Sequence, residues 1–403
     1  MRKLKLKNGL KLILEKKPTQ TVTIQATVKV GSNNENSSIN GISHFIEHML
    51  FEGTEKRPDS RIISNEIESL GGELNAYTSN ERTCFYVKVP AQHFDKGLGI
   101  IADIIQHPLF REKNIEKERR IILKEINLHK DEPRFHQWVL FTGALFKKHP
   151  ARLPAYGTVK AVRGMKKSDL LEYYNKHYTS NNTILSIVGN FDKDVTNKVQ
   201  DQFKDLKPGS LSKKTRIDEP RQKKPEVKKE KRKILSSYMV LGYKTVCRTS
   251  RDSYVLDVIK AILGRGQSGK IFDEIRNKRG LAYEVGVHHE PYSDYGFFVV
   301  YLNTDKKNIK KAVQLILKEF NNLSSLTPEE IKEAKGFLIG QHILNNEDTR
   351  ELADELGYWE SIKDAGMLSN YISEIKKVTK KDILDVARKY LTQNYTIALI
   401  EQG

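Results

Sequence analysis

The stretch that decides the fold is KKSDLLEYYNKHYTSNNTILSIVGN at residues 166–190, because the end of the chain repeats its pattern. Residues 379–402 read TKKDILDVARKYLTQNYTIALIEQ, and a constant offset of 213 residues aligns six identical pairs. The pairs are Asp169 with Asp382, Leu171 with Leu384, Lys176 with Lys389, Thr179 with Thr392, Asn181 with Asn394 and Thr183 with Thr396. Each copy has a stretch of helical apolar spacing followed by a short β-branched stretch typical of a strand. We therefore expect a tandem duplication of a unit of about 200 residues, a common size for one domain.

Strand-like and helix-like stretches follow one another in the first half without the strict alternation of a βαβ chain. Residues 6–16 (LKNGLKLILEK) and 21–32 (TVTIQATVKVGS) alternate as strands do. Residues 44–50 (HFIEHML) and 61–71 (RIISNEIESLG) predict helices instead. We expect an α+β fold of two homologous α/β-sandwich domains, each a mostly antiparallel sheet packed with helices.

A strongly basic segment separates the two halves. Residues 213–233, KKTRIDEPRQKKPEVKKEKRK, hold eleven Lys or Arg against four Asp or Glu, with two Pro and no apolar periodicity. This composition is typical of a solvated linker, so we place domains at 1–210 and 234–403 and a linker at 211–233. A tether for nucleic acid or an anionic surface is the alternative. No aromatic residue interleaves with the cations to stack on bases, and we expect no nucleic-acid partner.

Composition narrows the class of protein further. The 403 residues include 69 Lys and Arg against 51 Asp and Glu, a net charge of +18. No apolar run approaches the roughly 18 residues of a membrane-spanning helix, and the N-terminus has the pattern of a strand rather than of a signal peptide. Cys84 and Cys247 are the only cysteines, so no disulfide framework is implied. We expect a soluble protein of the reducing cytoplasm with no membrane partner.

The segment GISHFIEHMLFEGT, residues 41–54, brings three polar groups into one helix. His44 and His48 are four residues apart, so both imidazoles lie on one face at a spacing that can bind one ion. Glu47 lies on the same side. Neutral imidazole suits zinc, and a catalytic zinc keeps three protein ligands and one position for water. A pair of surface histidines beside a solvated glutamate is the alternative.

A second acidic helix supplies candidate carboxylates. In EKERRIILKEI, residues 116–126, Glu118 and Glu125 are seven residues apart and project from one face, which is otherwise apolar. Burying an unpaired carboxylate is expensive. Zinc held by two histidines would be the partner of one carboxylate. A histidine ring N–H or a water would be the partner of the other carboxylate. Ion pairs with Arg or Lys four residues away are the alternative.

These motifs and their spacing resemble the pitrilysin family of zinc peptidases, whose motif is H-x-x-E-H. The resemblance covers nearly the whole chain and is to the two-domain type, which includes the mitochondrial processing peptidase and its bacterial relatives. It implies one zinc ion per chain, bound by His44, His48 and Glu125 in the N-terminal domain. Glu118 matches the family's partner glutamate. Glu47 would take a proton from the zinc-bound water and pass it to the leaving amine.

The second half carries a further match to the family. In IFDEIRNKRGLAYEV, residues 271–285, Arg276 and Tyr283 resemble the C-terminal Arg/Tyr pair that contacts the substrate. A guanidinium and a phenol can hold a peptide carbonyl and stabilise a developing oxyanion. A helix-surface arginine and a packed tyrosine are the alternative reading of these two residues.

The resemblance also assigns substrate contacts in the first half. In GGELNAYTSNERTCFYV, residues 71–87, Asn75 and Ala76 match the edge strand along which a substrate pairs by its backbone. Such pairing demands an extended peptide and reads side chains weakly. Phe51 matches a pocket position for the residue that follows the scissile bond.

The function that the resemblance implies is zinc-dependent hydrolysis of extended or unfolded peptides by an endopeptidase with a clamshell chamber. Larger relatives close four such domains in one chain, so we expect this two-domain chain to form a homodimer. A presequence-type processing peptidase is the alternative enzyme. A non-catalytic scaffold subunit of the same fold is the other alternative, although it would be expected to have lost motif residues and none is lost here.

Overall fold

Eleven strands form two β-sheets in the computed structural model of the protein, which describes residues 1–210 and 217–403. The strands of the first sheet are β1 (Arg2–Lys5), β2 (Lys11–Lys16), β3 (Thr21–Val28), β4 (Glu73–Thr78), β5 (Thr83–Pro90) and β6 (Thr183–Gly189). Those of the second sheet are β7 (Glu226–Arg232), β8 (Ser237–Thr245), β9 (Ala282–Pro291), β10 (Gly296–Thr304) and β11 (Thr396–Gln402).

Helices connect and cover these strands. In chain order they are α1 (Ile42–Phe51), α2 (Ser60–Glu68), α3 (Phe94–Gln106), α4 (Glu112–Asp131), α5 (Pro133–Leu145), α6 (Val159–Gly164), α7 (Lys167–His177), α8 (Val195–Gln202), α9 (Arg251–Gly264), α10 (Lys270–Phe272), α11 (Ile309–Asn321), α12 (Pro328–Glu347), α13 (Thr349–Ile362), α14 (Gly366–Lys377) and α15 (Lys380–Tyr390). Within the described residues, no helix combines the length and the apolar character needed to cross a membrane.

Both sheets are mixed but mostly antiparallel. The strand order of the first sheet is β1-β2-β6-β3-β5-β4, and β2 and β6 are its parallel pair. The second sheet has the order β7-β11-β8-β10-β9, and β7 and β11 are its parallel pair. The other neighbouring strands in the two sheets run antiparallel. The predicted fold class is confirmed.

The two halves of the chain repeat one order of elements. Helix α7 and strand β6 occur towards the end of the first half, and α15 and β11 close the second half at the same offset of 213 residues. In each sheet this late strand lies between one parallel and one antiparallel neighbour. The corresponding order supports the duplication inferred from the repeated stretch.

The compact units do not coincide with contiguous halves of the chain. Residues 128–152 belong to the second unit and residues 345–368 to the first. The physical reason is sheet coverage, because α5 packs on β8 and β11 while α13 packs on β3 and β6. The chain therefore departs, in these two segments, from the contiguous domains 1–210 and 234–403 expected from the sequence.

The polar face of β3 shows what α13 contributes. The apolar residues of β3 face the core, and Thr23, Gln25 and Thr27 on the other face are also buried. The hydroxyls of Thr23 and Thr349 are hydrogen-bonded at 2.9 Å, and the side-chain amide of Gln25 donates to Asp354 at 2.8 Å. Alternating polar residues ordinarily leave one sheet face to water. Here a helix with matching polar groups covers that face instead.

The basic segment is only partly described, because residues 211–216 lie outside the described residues. Its last part, Glu226–Arg232, forms β7 at the edge of the second sheet, whereas the sequence predicted a linker. Parallel pairing with β11 holds this strand, and Nε2 of His136 lies 2.8 Å from Oε2 of Glu230. Its lysines suit an edge strand, since charge discourages pairing with other chains. Apolar periodicity could not reveal such a strand.

Replacing Gly357 with alanine tests the close contact between α13 and β3. A methyl group at Gly357 would lie 2.6 Å from Oγ1 of Thr27. We expect Gly357→Ala to lower the free energy of unfolding by about 1–3 kcal/mol, because the contact has no room for it. Denaturant unfolding measures the change.

The matched control is Gly336→Ala in α12, where an added methyl group meets nothing within 4 Å. Its stability should be unchanged or higher by up to ~1 kcal/mol, since alanine favours a helix over glycine. Equal stability of the two variants would contradict the tight packing of α13.

Candidate metal centre and active site

A glycine, Gly41, directly precedes α1, and the buried carboxylate of Glu35 binds the N–H groups at the start of the helix. Gly41 has a φ of 96°, and a Cβ there would lie 2.6 Å from Cα of Gly157. The buried carboxylate of Glu35 accepts hydrogen bonds from the backbone N–H groups of Gly41 at 2.7 Å and Ser43 at 2.9 Å. The first N–H groups of a helix have no partner within it. Glu35 therefore fixes where α1 begins and how its next turn is oriented.

His44, His48 and Glu125 converge in the first unit. Helix α1 presents the two imidazoles one turn apart, and α4 presents the carboxylate. The Nε2 atoms of the two histidines are 3.3 Å apart. Oε2 of Glu125 lies 3.8 Å from Nε2 of His44 and 3.6 Å from Nε2 of His48. Over the residues that the structure describes, this is the only group of His, Cys, Asp or Glu with metal-ligand spacing.

This spacing fits a zinc ion. Ligand atoms bound tetrahedrally at their usual distances would be about 3.3–3.6 Å apart, and the measured separations are 3.3, 3.6 and 3.8 Å. Two imidazoles and one carboxylate are also the donor set of catalytic rather than structural zinc sites. All three side chains are only half-buried, so solvent reaches the cluster.

Glu118 contacts the other side of the His48 ring. Its Oε2 lies 2.9 Å from Nδ1 of His48, and its Oε1 lies 3.2 Å from Nζ of Lys117. Burial alone would raise the pKa of Glu118, but His48 and Lys117 together outweigh it and the pKa is lowered. The charged carboxylate favours the proton of His48 on Nδ1, which leaves Nε2 available as a ligand.

Glu47 is buried next to the cluster, at 9% exposure. Its Oε2 accepts a hydrogen bond of 2.5 Å from the hydroxyl of Thr78. Burial raises the pKa of Glu47, and the Thr78 hydrogen bond opposes this only in part. A buried carboxyl group with a raised pKa holds a proton more readily than a solvated one. Glu47 is therefore a candidate for the predicted proton transfer.

The predicted substrate-contacting residues of the first half lie on two elements. Asn75 and Ala76 are in β4, the edge strand beside β5. Asn75 is exposed, and its Oδ1 accepts a hydrogen bond from the Ala76 N–H at 2.8 Å. Phe51 ends α1 and packs against Phe85 with ring centroids 6.0 Å apart. The free edge of β4 can accept a further extended strand.

Arg276 and Tyr283 form a pair within the second unit. Arg276 lies in a π-helical turn, Asp273–Asn277, and Tyr283 lies in β9 with 75% of its surface exposed. The guanidinium carbon is 4.9 Å from the centre of the Tyr283 ring and 5.0 Å from that of Phe272. This is a cation–π contact. The structure thus groups the predicted site residues into two sets, one in each unit.

Two residues that shape the site were missed from the sequence, Thr78 and Glu35. Thr78 lies in the quoted strand stretch, two residues after Ala76, and strand alternation places both on one face. That spacing was a usable signal. Glu35 gave none, because nothing in its position along the chain relates its carboxylate to the start of α1.

Two family models match successive parts of the chain. Residues 11–158 match the family described as Insulinase (Peptidase family M16). Residues 164–338 match the domain described as Peptidase M16 inactive domain. The first match contains the His44, His48 and Glu125 cluster, and the second contains the Arg276 and Tyr283 pair.

Similar proteins extend over almost the whole chain. A Bacillus subtilis protein named Uncharacterized zinc protease YmxG is 29% identical over 98% of this chain and 96% of its own length. A Rickettsia felis protein named Uncharacterized zinc protease is 32% identical over 98% of this chain and 96% of its own.

Solved structures share the fold. A crystal structure of a protease from Helicobacter pylori matches with a TM-score of 0.93 and 22% identity, over 99% of each chain. A structure described as a peptidase M16 inactive domain from Pseudomonas fluorescens matches with a TM-score of 0.90 and 18% identity, over 100% of this chain and 98% of its own.

Proposed function

Because this chain belongs to peptidase family M16, we propose that it is a zinc-dependent endopeptidase acting on extended or unfolded peptides. The observation that carries the proposal is the convergence of His44, His48 and Glu125 beside the buried Glu47. The cluster has the spacing and the donor set of a catalytic zinc site. One such cluster lies within the described residues, which supports one ion per chain.

In the proposed mechanism His44, His48 and Glu125 hold the ion. When bound, zinc supplies a Lewis acid that acidifies water and polarises the scissile carbonyl. Glu47 accepts the proton of the attacking water and delivers it to the leaving amine, as a general base and then a general acid. Glu118 keeps the His48 ring in the tautomer that binds metal.

Substrate binding is proposed at the free edge of β4. An extended peptide would add to the sheet beside Asn75 and Ala76, which favours unfolded substrates over folded ones. Phe51 would contact the residue that follows the scissile bond. Arg276 and Tyr283 would contribute a guanidinium and a phenol to the peptide carbonyl. Exposure of the Tyr283 ring is consistent with contact to a substrate.

Glu47→Gln is the decisive test of the activity. The amide keeps the shape of the side chain but cannot accept the proton, so peptide hydrolysis should fall at least a hundredfold. Zinc content should stay near one ion per chain, because Glu47 is not among the proposed ligands. Hydrolysis is measured as cleavage of a mixed set of unstructured peptides, with and without a chelator. Zinc content is measured by metal analysis.

The control for this test is Glu55→Gln, since Glu55 follows α1 closely and is exposed. It should retain wild-type hydrolysis and zinc. Full activity of Glu47→Gln, or activity that survives complete removal of metal, would overturn the proposed function.

Glu118→Gln tests the support of His48. The amide removes the charge that pairs with the ring, so zinc affinity should fall about 10- to 100-fold. Competition with a chromogenic chelator measures it. The control Glu116→Gln alters an exposed carboxylate of the same helix, which pairs with Arg119, and should bind zinc normally. Equal affinities of the two variants would refute the role of Glu118.

We also propose a cytoplasmic homodimer that closes a chamber around the peptide. The proposal rests on the two-domain architecture, since larger relatives carry four such domains. Sedimentation of the active protein should give the mass of two 46.3 kDa chains. A monomer with full activity at the same concentration would contradict it.

A further inference from the structure

We infer that Thr78 positions Glu47 for proton transfer, and that Asp354 in α13 fixes the strand end carrying Thr78. The inference rests on the proposed function and adds two positioning residues to it. Neither is among the proposed ligands, the base or the substrate contacts. Each belongs to the first unit.

The first link is the hydrogen bond between Thr78 and Glu47. The hydroxyl of Thr78 donates to Oε2 of Glu47 at 2.5 Å. A donor on one carboxylate oxygen fixes the plane of the group and leaves Oε1 for exchange of the proton. General bases work only within hydrogen-bond reach of the proton that they accept. Rotation of Glu47 about its side-chain bonds would lose that geometry.

The second link is the position of Thr78 at the end of β4. Thr78 pairs with Thr83 across the hairpin, and the backbone N–H of Ser79 donates to the carbonyl of Arg82 at 2.8 Å. The chain between the strands is therefore a tight turn of four residues, 79–82. The placement of the Thr78 hydroxyl depends on what holds this turn and Tyr77.

The third link is Asp354, which holds both sides of that hairpin. One carboxylate oxygen accepts hydrogen bonds from the phenol of Tyr77 and from Gln25, and the other accepts from Nη2 of Arg82 at 2.9 Å. The side chain of Arg82 is only 14% exposed, and its guanidinium also lies 4.9 Å from the centre of the Tyr358 ring. A guanidinium that is buried to this extent requires a counter-ion. Asp354 therefore cannot be removed without shifting the hairpin.

These three links join α13 to the base. Tyr77 directly precedes Thr78, so the carboxylate that holds Tyr77 and Arg82 also sets the backbone from which the Thr78 hydroxyl projects. A displacement of about 1 Å at a reacting group can cost roughly a hundredfold in rate. The hairpin and α13 thus have a role in the geometry of Glu47 besides their contribution to stability.

Kinetics of Thr78 variants test the first link. Thr78→Val keeps the shape and removes the donor, so kcat should fall roughly 10- to 100-fold, with KM and zinc content close to wild type. Thr78→Ser keeps the donor and should restore most of kcat. Thr19→Val is the control, because the Thr19 hydroxyl donates to the Thr21 carbonyl and to nothing at the site. It should leave kcat unchanged.

Asp354→Asn tests the second part of the inference. The amide keeps the shape of the side chain but removes the charge that Arg82 requires. We therefore expect kcat to fall, as in Thr78→Val, while zinc is retained. Asp364→Asn is its control, since Asp364 is a largely exposed carboxylate that pairs with Lys3. Thermal melting of every variant separates lost stability from lost kcat.

The outcomes are distinct. A wild type without Glu47-dependent hydrolysis overturns the proposed function and this inference with it. An active wild type with a normal kcat in Thr78→Val, or an equal loss in Thr78→Val and Thr78→Ser, overturns the inference alone. A lower melting temperature of Asp354→Asn with unchanged kcat would show that Asp354 contributes to stability and does not position Thr78.

Discussion

The polar face of β3 is the constraint on which the first unit depends. A strand in the middle of a sheet cannot leave Thr23, Gln25 and Thr27 buried without hydrogen-bond partners, because each unpaired buried polar group costs about 1–3 kcal/mol. Residues of α13 supply partners to Thr23 and Gln25, and Gln25 in turn donates a hydrogen bond to Thr27 at 3.3 Å. The need to cover this face brings residues 345–368 into the unit that holds His44, His48 and Glu125. The same helix then contacts the β4–β5 hairpin.

In the second unit, apolar side chains of α5 cover a face of the sheet. Phe141 and Leu145 of α5 pack with Val240, Val299 and Ala398 of the sheet. Both sheets thus receive a helix from the other half of the duplicated sequence, but the α13 interface includes buried polar pairs, whereas the cluster around α5 is apolar. Polar pairs require matched positions, whereas apolar packing tolerates substitution of similar volume. The polar pairs therefore constrain the position of α13 more strictly than apolar packing alone would.

Electrostatics at the cluster favour a cation. Burial alone would lower the pKa of His48, but Glu118, Glu125 and Glu47 outweigh it and the pKa is raised. The carboxylates thus favour positive charge at the His48 imidazole, which is the electrostatic environment that a divalent ion would require. Helix α1 can present these groups only because Glu35 and Gly41 fix its first turn.

Much of the fold and of the cluster could be predicted from local spacing. Helical periodicity placed His44 and His48 on one face of a helix and Glu118 and Glu125 on one face of another, and the resemblance to the pitrilysin family selected Glu125 as the third ligand. Strands β6 and β11 followed from the repeated stretch. The exchange of α5 and α13 could not be predicted, since periodicity shows that a face is apolar but not which segment covers it. Strand β7 was missed because an edge strand held by one neighbour can be almost entirely charged. Strand alternation in β4 offered a signal for Thr78, but the hydrogen bonds that Asp354 accepts arise only in three dimensions.

The exchange of α13 has a consequence for how the protein is made. During synthesis the chain emerges from the ribosome N-terminus first, and domains commonly fold as they appear. The first sheet, α1 and α4 are all complete by residue 189, yet the polar face of β3 stays uncovered until residues 345–368 have emerged. Residues up to 368 must therefore be translated before the unit that contains His44, His48 and Glu125 can close.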